Sequence, residues 1–233
     1  MNIPRSLWHT LKKGVHGMKS KVRKVIYRAL AIMLALFVCL YLLQHVWAHR
    51  HGKAEQVECV PLLGWFTMED RVDKEDGAPL TDLRPGDILL TLSTHSIGWR
   101  HGHAGLVLDE NTVLECTTWG KDSCIVGVDH WMTYSHYVVL RVKGVTEEVQ
   151  QEVAAFAREN LCGVPYHLSA GLFGEKAPDT GSRGCGLQCA YLVWYAWNQF
   201  GYDLDSDGGR LVTANDLLQS ELLEVVQIQD VGK

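Results

Sequence analysis

Cys185-Gly-Leu-Gln-Cys189-Ala-Tyr-Leu-Val-Trp-Tyr-Ala-Trp-Asn-Gln-Phe-Gly201 is the stretch on which the reading of this chain turns. A Gly-rich loop delivers Cys189 to the first turn of a segment that is apolar on nearly every face. Tyr, Val and Trp also favour strands, but the run is too long for a typical strand and reads as a helix. A helix of that composition has to be buried, and Gly201 offers a C-terminal stop. A cysteine at a helix N-terminus faces unpaired N–H groups and the positive end of the macrodipole, which favour the thiolate. The bland alternative is a small apolar residue in a core helix. The rest of the chain has to decide between the two.

The chain is long enough for one domain with a sizeable core and some extra segments. Its charge is split: residues 1–53 carry ten Lys or Arg and no Asp or Glu, so all 27 acidic residues lie beyond them against 12 basic ones. An acidic main domain argues against nucleic acid as a partner. Residues 29–48 are apolar apart from Gln44 and His45, and about 20 residues of helix cross a hydrocarbon core. This segment is expected to be a transmembrane helix. The basic residues before it would leave the N-terminus cytoplasmic and place the domain outside as a single-pass membrane protein. Val46-Trp-Ala48 could alternatively be a signal-peptidase site that releases a secreted domain. Residues 1–28 are then a basic cytoplasmic segment, 49–79 a juxtamembrane linker with a short packed piece around Leu62–Phe66, and 80–233 the main domain.

From Leu80 onward the pattern is that of an α+β domain with an antiparallel sheet. Leu83-Arg-Pro-Gly-Asp87 is a turn leading into a strand over Ile88–Leu92. A His-rich loop follows, then strands over His103–Leu108, through Val113 and Glu115, over Cys124–Val128 and over Tyr137–Val142. Glu147–Leu161 reads as a helix with Val149, Val153, Phe156 and Leu161 on one face. After Val164-Pro-Tyr166, a polar loop and the Cys189 helix, Leu223–Ile228 closes the sheet. Seven cysteines without a CxxC pair exclude a zinc ribbon. Spacing does not decide the pairing; a Cys116–Cys124 disulfide across a hairpin is the one guess it leaves. Trp99, Trp119, Trp194 and Trp197 read as core residues.

Nucleophilic thiol chemistry needs a thiolate, an imidazole to hold its proton and a third group to fix the ring. His103 starts one strand, and Glu115 ends the next across a short turn, so antiparallel pairing can bring them together. By spacing alone, a surface histidine and an exposed edge carboxylate remain open alternatives. Cys185 competes with Cys189 as the nucleophile and His101 with His103 as the base. His95, His101 and His103 lack a fourth ligand for zinc. Asp203-Leu-Asp-Ser-Asp207-Gly copies the first half of a calcium loop, but its twelfth position is Ala214. It reads as a polar turn capped by its own Asp side chains, so no metal and no cofactor are expected.

These residues carry a resemblance. Helix, Gly163-Val-Pro-Tyr166, Gly-rich loop and Cys189-Ala-Tyr-Leu-Val resemble the nucleophile half of the NlpC-type cell-wall peptidases. Pro85-Gly-Asp-Ile88 with His103-Ala-Gly-Leu-Val resembles their histidine half. Here the histidine half comes first, so the chain resembles the circularly permuted, YiiX-like branch of the papain-like fold, which includes lecithin retinol acyltransferase relatives. The resemblance covers about residues 80–220. It implies Cys189 as nucleophile, His103 as general base, Glu115 as the group orienting the ring, and Tyr166 lining the site and binding the oxyanion together with the Cys189 N–H. It departs from the family at Ala190, Gln188 and Glu115.

The function this implies is a membrane-anchored, extracytoplasmic cysteine peptidase or amidase that cleaves a cell-wall peptide through an acyl-enzyme. An acyltransferase or lipid hydrolase at the membrane surface is the first alternative, with an acyl substrate in place of the peptide. A catalytically silent binding module using the same groove is the second.

Overall fold

The computed structural model describes residues 20–50, 65–66, 73, 79–91, 95–96, 99–100, 102–173, 175–177 and 186–230. The chain divides into two compact units, Met1–Val46 and Trp47–Lys233. The first is described through one long helix, α1 (Ser20–Arg50). Among the described residues, no helix is long and apolar enough to cross a membrane. The uninterrupted apolar run of α1, Ala29–Leu43, is 15 residues before Gln44 and His45 break it. At 1.5 Å per residue it spans about 22 Å, short of a hydrocarbon core of about 30 Å. The transmembrane helix expected over 29–48 is therefore withdrawn. The single-pass topology, the extracytoplasmic placement and the membrane as a partner go with it.

The second unit is built on a six-stranded antiparallel sheet in the order β7-β6-β5-β2-β8-β9. Its strands are β2 (Ile88–Thr91), β5 (His103–Asp109), β6 (Thr112–Glu115), β7 (Cys124–Gly127), β8 (His136–Val142) and β9 (Leu223–Asp230). Three two-residue strands, β1 (Trp65–Phe66), β3 (His95–Ser96) and β4 (Trp99–Arg100), form a separate small sheet. The helices are α2 (Glu147–Asn160), α3 (Cys189–Asn198) and α4 (Ala214–Gln219), with a 3-10 turn over Val128–Thr133. The α+β class and the antiparallel sheet agree with the sequence. The 3-10 turn and α4 had no counterpart in it. His101, Cys59 and Cys185 lie outside the described residues.

Side-chain alternation gives the sheet two apolar faces. Ile88, Leu90, Ala104, Leu106, Leu114, Val138 and Leu140 join α2 and α3 in the larger core. Leu89, Val107, Val113 and Val139 meet Trp131, Tyr134 and Tyr137 in a smaller core on the opposite face. Helix α3 is buried over eight consecutive residues, Ala190–Trp197, as its uniformly apolar sequence requires. Burying each of its larger side chains stabilises the fold by about 1.5–3 kcal/mol. The helix ends at Asn198, earlier than Gly201, whose positive φ of 84° lies just beyond the last turn. Trp194 and Trp197 are core, but Trp119 is 86% exposed, contrary to expectation.

The Pro85-Gly86-Asp87 turn has a structural explanation. Gly86 adopts φ +82°, and a Cβ there would meet Trp197 Cζ2 at 2.8 Å. The Trp197 indole N–H donates to the Gly86 carbonyl at 3.1 Å, tying α3 to the turn. Asp87 is fully buried and accepts from Arg84 N at 2.8 Å, Arg141 Nε at 2.8 Å and Arg141 Nη2 at 2.7 Å. The carboxylate thereby holds the turn, β2 and β8 together.

Cys116 and Cys124 are both free thiols, so the hairpin disulfide does not form. Cys124 pairs in register with Glu115. Cys116 is one residue further on, and successive strand residues point to opposite faces. Cys116 is buried and its thiol donates to the Leu187 carbonyl at 3.6 Å, whereas Cys124 is exposed.

Candidate functional site

The start of β5 and the start of α3 meet, and the chemistry-bearing residues gather there. Glu115 lies opposite Gly105 across the β5–β6 pair, which sets it diagonal to His103, two residues earlier on the same face. Diagonal neighbours are about 7–8 Å apart at their backbones, within reach of long side chains. His103 Nε2 and Glu115 Oε2 are 3.1 Å apart, with the two side chains 2% and 3% exposed. The imidazole and the Cys189 thiol also interact, each shifting the titration of the other. Cys189 itself is half-buried.

The electrostatics of the three groups are mutually dependent. Burial pulls His103 toward the neutral form, but the hydrogen bonds and charges of Cys189 and Glu115 outweigh it and raise its pKa well above 6.5. Burial pushes the Cys189 thiol up, while His103 and the backbone N–H groups of Ala104 and Ala190 bring it below its ordinary value. Burial likewise raises Glu115, and His103, then His130 and the Trp131 N–H, bring it down. All three shifts favour the ionised form of the group, because each charge stabilises its neighbour.

Tyr166 is brought to the same place by backbone pairing. It forms a parallel bridge with Leu187, His167 N donates to the Leu187 carbonyl at 2.7 Å, and Leu187 N donates to the Pro165 carbonyl at 3.0 Å. Burial, then the charges of Cys189 and Cys116, keep its phenol well above its usual pKa, so it stays a neutral O–H donor. Gln188 is the N-cap of α3: its Oε1 accepts from Ala190 N at 3.0 Å and from the Cys189 thiol at 3.5 Å, and its Nε2 donates to the Val212 carbonyl. The sequence marked Gln188 as a departure without giving it this role.

A second cluster lies in the acidic loop. Ligand oxygens of Asp205, Asp207 and Asp216 all fall within 4.8 Å of one another, a grouping that could hold a metal ion. The loop is also self-capped as the sequence suggested, with Asp205 N, Asp207 N and Gly209 N donating to the side chains of Asp203, Asp205 and Asp207. Lys176 pairs with Asp205, and Asp216 forms a capping box with Thr213 at the start of α4. Burial, then the charges of Asp207 and Asp205, raise the Asp216 pKa against the Thr213 hydrogen bonds. The sequence stopped at Ala214 for the final ligand and did not reach Asp216, two residues on.

These findings overturn the function first read from the sequence. A membrane-anchored, extracytoplasmic cysteine peptidase or amidase loses its anchor, and a candidate metal cluster stands where no metal was expected. The contacts among Cys189, His103 and Glu115 do not by themselves make a peptidase. The hydrolase assignment is withdrawn, together with the cell-wall peptide and the acyltransferase, lipid-hydrolase and silent-module alternatives attached to it.

No family model matches the chain, and no curated protein matches it. Among solved structures it is similar to the metalloprotein yiiX from Escherichia coli O157:H7, at 18% identity and a TM-score of 0.45, over 63% of this chain and 98% of that one. This is a distant structural relationship and does not establish a papain-like cysteine hydrolase.

Proposed function

We propose that the domain works through a reactive-thiol centre in which Cys189 is the nucleophile, His103 holds its proton, Glu115 orients the ring, and Tyr166 donates a hydrogen bond to a bound electrophile. The observation that supports this reading is the buried His103 imidazole, which meets the buried Glu115 carboxylate at 3.1 Å and shifts the titration of the half-buried Cys189 thiol. A carboxylate on one ring nitrogen fixes the tautomer and stabilises the imidazolium.

Alkylation by iodoacetamide, measured against pH, tests the reading. The full chain should show a fast phase with a midpoint below about 8, against about 8.5 for a free cysteine. That phase should vanish in Cys189→Ser and persist in Cys116→Ser and Cys185→Ser. A fast phase that follows another cysteine, or no fast phase in the folded protein, would overturn it.

A second reading, for the acidic loop, is favoured by the proximity of the Asp205, Asp207 and Asp216 oxygens. Oxygen donors suit a divalent cation such as calcium or magnesium. A cation there would relieve the crowding that raises the Asp216 pKa. Calcium bound to the native state at one hundred times its Kd adds about 2.7 kcal/mol of stability. A rise in melting temperature with calcium that is lost in Asp207→Asn supports this role. A melting temperature indifferent to both calcium and magnesium rejects it.

A further inference from the structure

The 3-10 turn over Val128–Thr133 contributes one buried residue, Trp131, which the thiol reading leaves without a task. Trp131 is fully buried against the sheet. Its ring lies nearly parallel to His103, with centroids 5.3 Å apart and an interplanar angle of 13°. That geometry falls within the range of offset stacking, and an imidazolium on an indole face also gains a cation–π attraction.

Gly105 is what admits the indole to this position. A Cβ at Gly105 would meet Trp131 Cζ2 at 2.9 Å and Val113 Cγ1 at 2.6 Å. Gly105 is also the register partner of Glu115, so the tryptophan lies beside both members of the His103–Glu115 pair. The Trp131 Nε1–H is buried and completes no well-formed hydrogen bond. A buried N–H left in that state is costly and calls for an explanation. After the opposing effect of burial, and behind the contributions of His103 and His130, the same N–H helps to keep Glu115 ionised.

We propose that Trp131 is a positioning residue of the thiol centre, holding the His103 ring by its face so that the imidazole is supported as a cation and stays aimed at Cys189. The inference rests on the reactive-thiol reading. It assigns to the 3-10 turn the task of supporting the imidazole from the side away from the helix layer. The titratable groups facing this arrangement are Cys189 on α3, Glu115 on β6, Cys124 on β7, His130 and Tyr134 at the 3-10 turn and Tyr137 on β8.

The test is the iodoacetamide rate profile of Cys189 in Trp131→Phe, Trp131→Leu and Gly105→Ala, with folding followed by circular dichroism. Trp131→Phe keeps a stacking ring and loses the N–H, and Trp131→Leu loses both. Gly105→Ala leaves the tryptophan in the chain but pushes its ring aside. An exposed-to-desolvated cation–π contact of roughly 0.5–2 kcal/mol corresponds to a midpoint displacement of about 0.4–1.5 units. The midpoint should therefore move upward by about one unit in Trp131→Leu and by less in Trp131→Phe, with Gly105→Ala moving in the same direction. The rate on the alkaline plateau should be unchanged, because the thiolate itself is not altered. A purely structural role for Trp131 would lower stability and leave the midpoint where it is. If the wild type shows the fast phase and the midpoints of the folded variants do not move, the role of Trp131 is refuted and the thiol reading stands. If the wild type has no fast phase, the thiol reading fails and this inference falls with it. Should Trp131→Leu fail to fold, Trp131→Phe and Gly105→Ala decide the question.

Discussion

Replacing Arg141 with methionine should be the most damaging single change outside the site, and the structure sets its size. Arg141 is 11% exposed, and Asp87 is fully shielded from solvent. Two of the three hydrogen bonds described for the Asp87 carboxylate come from Arg141, at 2.8 and 2.7 Å. The third, from Arg84 N at 2.8 Å, cannot neutralise a charge. Methionine preserves much of the apolar stem, so packing changes little, but the carboxylate is left buried without its cation. Removing one member of a buried ion pair costs about 3–5 kcal/mol, whereas a solvent-exposed pair contributes about 0–1. The Arg141 contact with Asp82, 69% exposed and at 3.8 Å, belongs to the second class and adds little. With a urea m-value of about 2 kcal/mol/M, the unfolding midpoint should fall by about 1.5–2.5 M. Combining it with Asp87→Asn gives a double-mutant cycle, and the two changes should be strongly non-additive, by about 2 kcal/mol or more. If the effects add to within about 0.5 kcal/mol, or if Arg141→Met costs less than about 1 kcal/mol, Asp87 does not depend on Arg141 and the account of the turn is wrong.

The remaining predictions concern the thiol pair. Glu115→Gln keeps the shape and a neutral hydrogen bond to His103. Charged hydrogen bonds are roughly twice as strong as neutral ones, a difference of about 1–1.5 kcal/mol. The fast alkylation of Cys189 near pH 7 should therefore fall about tenfold without disappearing, and an unchanged rate or a complete loss would both contradict an orienting role. The pair also makes stability depend on pH. His103 has a raised pKa, so its contribution is complete below its ordinary 6.5 and is lost as pH rises through the folded value. Glu115 has a lowered pKa, so its contribution is complete above its ordinary 4.5 and is lost as pH falls through the folded value. The melting-temperature gap between wild type and His103→Ala should be widest between about pH 4.5 and 6.5 and should narrow on both sides. A gap that grows steadily toward alkaline pH would show that the sign is wrong.

The strands were legible because their residues are β-branched or apolar and their turns carry Gly, Pro, Asn and Asp. The strand starting at His103 and the helix starting at Cys189 lie where the sequence placed them. The contact between His103 and Glu115 was legible too, since a short turn leaves few registers for β5 and β6. What stayed hidden depends on register and tertiary packing. Asp129-His-Trp-Met132 has no periodicity to mark it, and Gly105 looks like any strand glycine until its neighbour is known to be an indole. Asp87 reads as a turn residue, and nothing local points to Arg141, which lies 54 positions later. The apolar run of α1 misled for a different reason: residues 29–48 were counted as one span, whereas among the described residues no helix is long and apolar enough to cross a membrane. Cys116 and Cys124 looked like hairpin partners until the register put Glu115, and not Cys116, opposite Cys124.

The state of Cys189 turns on a contest at one helix end. Its proton can stay on sulfur and be given to Gln188 Oε1 at 3.5 Å, or it can sit on His103. The first arrangement is a weak neutral hydrogen bond, and Gln188 Oε1 is already committed to Ala190 N at 3.0 Å as the N-cap. The second is charge-assisted on both sides of the imidazole, because Glu115 receives the far N–H while the sulfur receives the near one. It is further favoured by the Ala104 and Ala190 N–H groups directed at the sulfur and by the positive end of the α3 dipole. Burial opposes it. His103 and Glu115, the enclosed pair, satisfy each other. Helix α3, packed over eight consecutive residues, cannot swing its N-terminus away from β5 without opening the core. Cys189 and His103 are thus held beside one another by the same packing that makes the fold.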